Sequence, residues 1–174
     1  MPMTTPGGTI YLTTYVELAE FHLGKTDTVA CTCPRHKTPF IAIDRRACQL
    51  FAEFRRLGGR PRQVASSTRC EAHQRDLIDI YGGTSPVAKD PKTATHSAVM
   101  HGGVIVKPCF AFDIRNDGSQ AAKIADRDQM RQAGMNLWGK RPRIGWEGYG
   151  FGLIHADVAF FAPTNPNHVS GVEW

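Results

Sequence analysis

Apolar and polar positions along the chain alternate between two periods, and the switches mark the elements. The clearest helical pattern follows Asp44, a side chain suited to capping an N-terminus. Ala47, Leu50, Phe51 and Phe54 then recur at helical spacing until Gly58-Gly59 stops the run. A second helix is predicted from about Glu71 to Tyr81, ended by Gly82-Gly83, and a third from Ala121 to about Leu137 with a break near Gly134. Strand-like segments are Thr9–Leu12, Arg62–Ser67, Val104–Val106, Phe110–Ile114 and Leu153–Phe161. Thr14–Phe21 reads as a short helix or turn, and residues 22–40 as an irregular loop. Residues 82–103 read as a long polar loop, and loops of that length in compact domains tend to be functional or disordered. Asn116-Asp117-Gly118 is a turn signal, and Pro163, Pro166 and Gly171 mark an irregular tail ending in Trp174. No repeat or linker interrupts the pattern. The expectation is one α+β domain over 1–174, a central antiparallel sheet flanked by helices.

Composition narrows the class. The 174 residues are 41% apolar, enough for one domain with a real core, and no apolar run approaches the roughly 18 residues of a membrane span. The N-terminus, Met1 to Gly8, lacks a basic region followed by an apolar one, so no Sec signal peptide and synthesis in the cytoplasm are expected. Five cysteines, an odd number, argue against a complete disulfide framework. The net charge of +5 suits an anionic partner, although the densest basic residues, Arg45 to Arg62, fit a solvated helix face.

The chemistry concentrates in two apolar strands. Asp113 sits inside Phe110-Ala111-Phe112-Asp113-Ile114, and a lone buried carboxylate must be paired or bound to metal. His155 and Asp157 lie two apart in the last strand and so share a face. With an upstream histidine, Asp113 and His155 on the two strands would make a zinc site that keeps one position open. Elsewhere, Cys31-Thr32-Cys33-Pro34-Arg35-His36 reads as half of a structural zinc site, with no second cysteine pair after it.

In order along the chain, Glu20-Phe21, Cys31/Cys33, the 44–57 helix, Gly59-Arg60-Pro61 and Ser66-Ser67-Thr68-Arg69-Cys70 are followed by Gly82-Gly83, a His in 96–101, Ala111-Phe112-Asp113-Ile114, Gly148-Tyr149-Gly150-Phe151, His155-Ala156-Asp157 and Trp174. This series resembles the zinc D-Ala-D-Ala carboxypeptidase/endopeptidase superfamily, which includes vancomycin-resistance dipeptidases, phage endolysins and, by fold, the hedgehog signalling domain. The resemblance implies a hedgehog/DD-peptidase-like fold, a Zn2+ cofactor and hydrolysis of stem peptides in bacterial peptidoglycan. It implies action on the cell wall after release, or as part of a phage particle. It places the metal on His101, Asp113 and His155, with His96 as the alternative first ligand. The family's histidine seven residues before the Asp falls here on Val106, and His101 is favoured because Gly102-Gly103 follows it. Glu147 is the first choice for catalytic base and Asp157 the second, with a role in orienting a ligand as the alternative. Arg69 would bind a substrate carboxylate or polarise the scissile carbonyl, with Ser67 and Tyr149 beside it in substrate binding. A monomer without nucleic-acid partners is expected.

Two other classes stand beside the peptidase. One is a non-catalytic binding module on the same fold, favoured by Gly152 and Leu153 where many members carry an acid or His. The other is a zinc-ribbon nucleic-acid protein built on Cys31, Cys33, His36 and Cys48, which ranks lowest because paired cysteines are missing.

Overall fold

The computed structural model describes residues 3–5, 8–10, 30–36, 40–59, 62–82, 89–147, 152–162 and 169–173. Strands β1 (Met3–Thr5) and β2 (Gly8–Ile10) pair as a short antiparallel hairpin. The 14–21 segment, Tyr149, His22, His168 and Trp174 lie outside the described residues.

Helix α1 (Arg45–Gly58) starts where the sequence places it. The Asp44 carboxylate accepts from the Arg46 N–H at 2.8 Å, and Gly59 closes the helix in the left-handed region at φ 60°. Its apolar stripe, Ala47, Cys48, Leu50, Phe51 and Phe54, is buried against β7 (Ala111–Arg115) and α3 (Gln120–Trp138). Phe51 meets Phe112 edge-on at 5.5 Å. Helix α2 (Glu71–Tyr81) is capped by the Cys70 sulfur, which accepts from the His73 N–H.

The main sheet orders its strands β3 (Val64–Ser66), β7, β9 (Leu153–Asp157), β8 (Arg143–Gly145), every neighbour antiparallel. A second sheet joins β4 (Arg69–Cys70), β5 (Ser97–His101) and β6 (Val104–Lys107), with β4 parallel to β5. The class is α+β. Phe112, Ile114, Ile154 and Ala156 enter the hydrophobic core, so the period of two turns Asp113, His155 and Asp157 to the opposite face of β7 and β9. Among the described residues no helix is long and apolar enough to cross a membrane.

Three sequence expectations change. The loop at 82–103 contains β5, and Gly102-Gly103, with φ 56° and 81°, is the two-residue turn of the β5–β6 hairpin. The last strand stops at Asp157, whose carboxylate accepts from the Ala159 N–H at 3.0 Å, and Ala159–Phe161 is a 3-10 turn. Helix α3 runs through Gly134 unbroken. A Cβ there would stand 2.6 Å from the Lys140 carbonyl oxygen, so this glycine serves close packing of the helix on the 140–142 segment.

Candidate metal centre

Strands β7 and β9 pair in a register that sets Asp113 directly opposite His155. The third member arrives from the segment before β5. There the Arg69 N–H donates to the His96 carbonyl at 2.9 Å and the Phe110 N–H to the Thr95 carbonyl at 2.8 Å, which fixes the backbone around His96. His96 Nε2, Asp113 Oδ1 and His155 Nδ1 then form a triangle with edges of 3.2, 3.0 and 3.1 Å. A tetrahedral ion with bonds of about 2.0 Å separates its donors by about 3.3 Å, close to these edges.

What lies behind each ring fixes which nitrogen faces the centre. His96 Nδ1–H donates to the Ser67 carbonyl at 2.7 Å, and His155 Nε2–H donates to Asp157 Oδ2 at 3.1 Å. In the neutral rings both inward nitrogens are thereby left as lone pairs aimed at a carboxylate oxygen. Without a cation, three acceptors converge on one point, and the three residues expose only 3–4% of their surface. Outer hydrogen bonds that hold a histidine's tautomer and orientation are characteristic of metal sites.

Electrostatics follow from this packing. Burial lowers the pKa of His96, a push that the nearby Arg69 guanidinium reinforces. Burial would lower that of His155 as well, but hydrogen bonds and attraction from Asp113 and Asp157 outweigh it and raise the value to about 9. Burial pushes Asp113 upward, yet the two imidazoles hold it well below the ordinary carboxylate range. Asp157 is likewise held low, mainly by His155 against the cost of its burial. The metal-free centre therefore carries a proton on His155 in place of a cation.

The expected site residues divide. His96 takes the place assigned to His101, which is exposed and pairs with Val104 at the tip of the β5–β6 hairpin. The Gly-Gly pair that favoured His101 is a turn, not part of a ligand motif. Asp157 is buried and committed to His155, Ala159 and the Arg143 guanidinium, 3.8 Å away, so it orients the His155 ring and is not free to act as a base. Ser67 is buried too, and its hydroxyl donates to the Ala111 carbonyl at 2.9 Å, so its part is structural. Glu147 is exposed, two residues beyond Gly145, which pairs with His155. Arg69 lines a cleft of about 450 Å³ together with Thr32, Ser66, Thr68, His73 and Tyr81. His96, Asp113 and His155 do not line that cleft. Tyr149 falls outside the described residues.

A second group of ligand atoms, on Cys31, Cys33, His36 and Cys70, lies elsewhere, all within 4.8 Å of one another. Cys48, the fourth ligand of the zinc-ribbon expectation, is buried in the core on α1 instead. His73 Nδ1 lies 3.3 Å from the Cys31 sulfur. No family model, curated protein or solved structure matches the chain.

Proposed function

We propose that His96, Asp113 and His155 bind a zinc ion and that the chain is a zinc peptidase acting on the stem peptides of bacterial peptidoglycan. The observation that carries the metal is the donor triangle with both outer ring nitrogens already committed. Substrate class and a hedgehog/DD-peptidase-like fold rest on the ordered sequence motifs around that triangle.

A zinc ion on three protein ligands supplies Lewis acidity and brings the pKa of bound water to about 7. The chain's own residues do the rest. Asp157 keeps the His155 ring oriented through Nε2, and the Ser67 carbonyl does the same for His96. With Asp157 committed, Glu147 is the carboxylate assigned to take a proton from the attacking water and return it to the leaving amine nitrogen. Arg69, next to the Ser67-Thr68 segment, supplies a fixed cationic fork for a substrate carboxylate or the scissile carbonyl.

One observation favours a second reading, a zinc-stabilised binding module without hydrolysis: the ligands are almost fully buried. A single experiment separates the two. Purified protein is assayed for zinc and for cleavage of peptidoglycan fragments, beside Glu147→Gln. Zinc retained in both, with cleavage in the wild type and a loss of about 100-fold or more in the variant, supports the peptidase. Zinc without cleavage in either leaves the binding module. Wild type that takes up no zinc on His96, Asp113 and His155 overturns both.

A further inference from the structure

The mechanism makes no use of the three cysteines and the histidine gathered beside α2. We propose that Cys31, Cys33, His36 and Cys70 form a second, closed metal site that holds a structural zinc ion. Four observations carry it. The Cys33 and Cys70 sulfurs are 3.6 Å apart, and zinc–thiolate bonds of about 2.3 Å place two tetrahedral sulfurs about 3.8 Å apart. All three cysteines are buried and free, so no disulfide explains their convergence. His36 Nε2 is buried with no hydrogen-bond partner among the described residues, an orphaned atom that a metal would satisfy. Backbone donors already serve the sulfurs: the Cys70 N–H points to Cys31 Sγ and the His73 N–H to Cys70 Sγ, each at 3.3 Å. The Cys70 N–H favours a thiolate at Cys31.

Four protein ligands leave no open position, which assigns the site to structure and not to chemistry. Its place in the chain says what it would hold. Cys31 to His36 belong to a segment with little regular structure, tied back by the Cys31–Phe40 bridge. Cys70 follows directly on Ser67, Thr68 and Arg69, whose backbone carries the carbonyl that orients His96 and the N–H that donates to the His96 carbonyl. A metal there clamps the loop to the start of α2 and braces the wall of the first centre. His73, with Nδ1 directed at Cys31, serves as a hydrogen-bond partner of that thiolate.

The test is metal stoichiometry on the full chain, purified under reducing conditions from zinc-supplemented cells. Expected are two zinc ions per chain, one in His155→Ala and one in Cys33→Ser. A thiol-directed mercurial should release one equivalent from wild type and from His155→Ala, and none from Cys33→Ser. After cobalt exchange, thiolate-to-cobalt charge-transfer absorption should persist in His155→Ala and vanish in Cys33→Ser. Should Cys33→Ser fail to fold, His36→Ala replaces it, expected to alter the cobalt spectrum where His73→Ala does not. No mercurial-released metal in His155→Ala, or a Cys33–Cys70 disulfide in the purified chain, overturns the proposal. The readouts are independent of the peptidase reading: one thiol-bound zinc in wild type and none on the His96 centre would sustain this site and sink the other.

Discussion

The two candidate metal centres are built from opposite materials. The first takes two imidazoles and a carboxylate, two of them from paired strands of one sheet, and stops at three donors. The second takes three thiols and an imidazole from a loop and a helix start, and reaches four. Strands that are hydrogen-bonded across a full register hold Asp113 and His155 in place whether or not a cation is present. The segment of Cys31 to His36 has no comparable ladder, so there the metal itself supplies the order. Donor count and backing thus separate a site suited to chemistry from one suited to holding the fold.

That contrast can be broken most directly by Asp113→Ala. It should remove zinc from the first centre only and drop peptidoglycan hydrolysis below detection. Thermal stability should change less than in variants of the cysteine site, because β7 and β9 keep their ladder. Metal analysis, activity and melting on one preparation check this, and retained zinc on the His96 centre would break the contrast.

Next in size is Cys70→Ser. Serine keeps the N-cap of α2, so any loss reports the sulfur–metal link and not the helix start. We expect about 3 kcal/mol of destabilisation, a fall in Tm of roughly 10 °C for a chain of this size. EDTA should lower the wild-type Tm by a similar amount and leave that of Cys70→Ser nearly unchanged. An equal response of the two proteins to EDTA would show that the cysteine cluster does not hold the stabilising metal.

Asp157→Asn sharpens the first centre alone. It keeps the volume but weakens the hold on His155 Nε2, and zinc affinity there should fall about 10–100-fold while the thiol-bound metal is untouched. A competition titration with a chromophoric chelator reads both sites. If Asp157 were instead the catalytic base, the variant would keep its zinc affinity and lose turnover.

How much of this was legible in the sequence depends on the range of the interaction. Helix α1 was readable to its caps because Asp44, the apolar stripe and Gly59 are all local. So was the shared face of His155 and Asp157, since strand periodicity alone sets it. Strand β5 was missed because Ser97, His101 and their polar surroundings read as loop, although Gly102-Gly103 before Val104-Ile105-Val106 is a hairpin signal. Reading that signal would have placed His101 at a tip and left His96 as the upstream histidine. Cys70 is harder. It stands 39 residues from Cys31, and only the parallel pairing of β4 with β5 and the start of α2 bring it to the loop cysteines. No local period encodes that approach, so the sequence offers Cys48, nearer to the motif, in its place.

The smallest expected effect, pH dependence, distinguishes the centres by their protons. In the metal-free first centre His155 is protonated up to about pH 9, whereas His96 is pushed toward neutrality by burial and Asp113 is already ionised. Zinc must displace the His155 proton, so its apparent affinity there should rise about tenfold per pH unit and flatten near pH 9. Stability of the metal-free chain runs the other way. The raised pKa of His155 contributes fully below the unfolded value of about 6.5, and that contribution fades as pH climbs through about 9. At the cysteine cluster, hydrogen bonding to the Cys31 sulfur, chiefly from Cys70, pulls that thiol far down, while Cys70 is pushed above the ordinary thiol range. Metal uptake there must expel the Cys70 proton, and its affinity should keep rising beyond pH 9. Zinc titrations of Cys33→Ser and His155→Ala from pH 6.5 to 10 isolate each centre in turn. Curves that flatten at the same pH would mean that one pool of protons, and therefore one site, accounts for both.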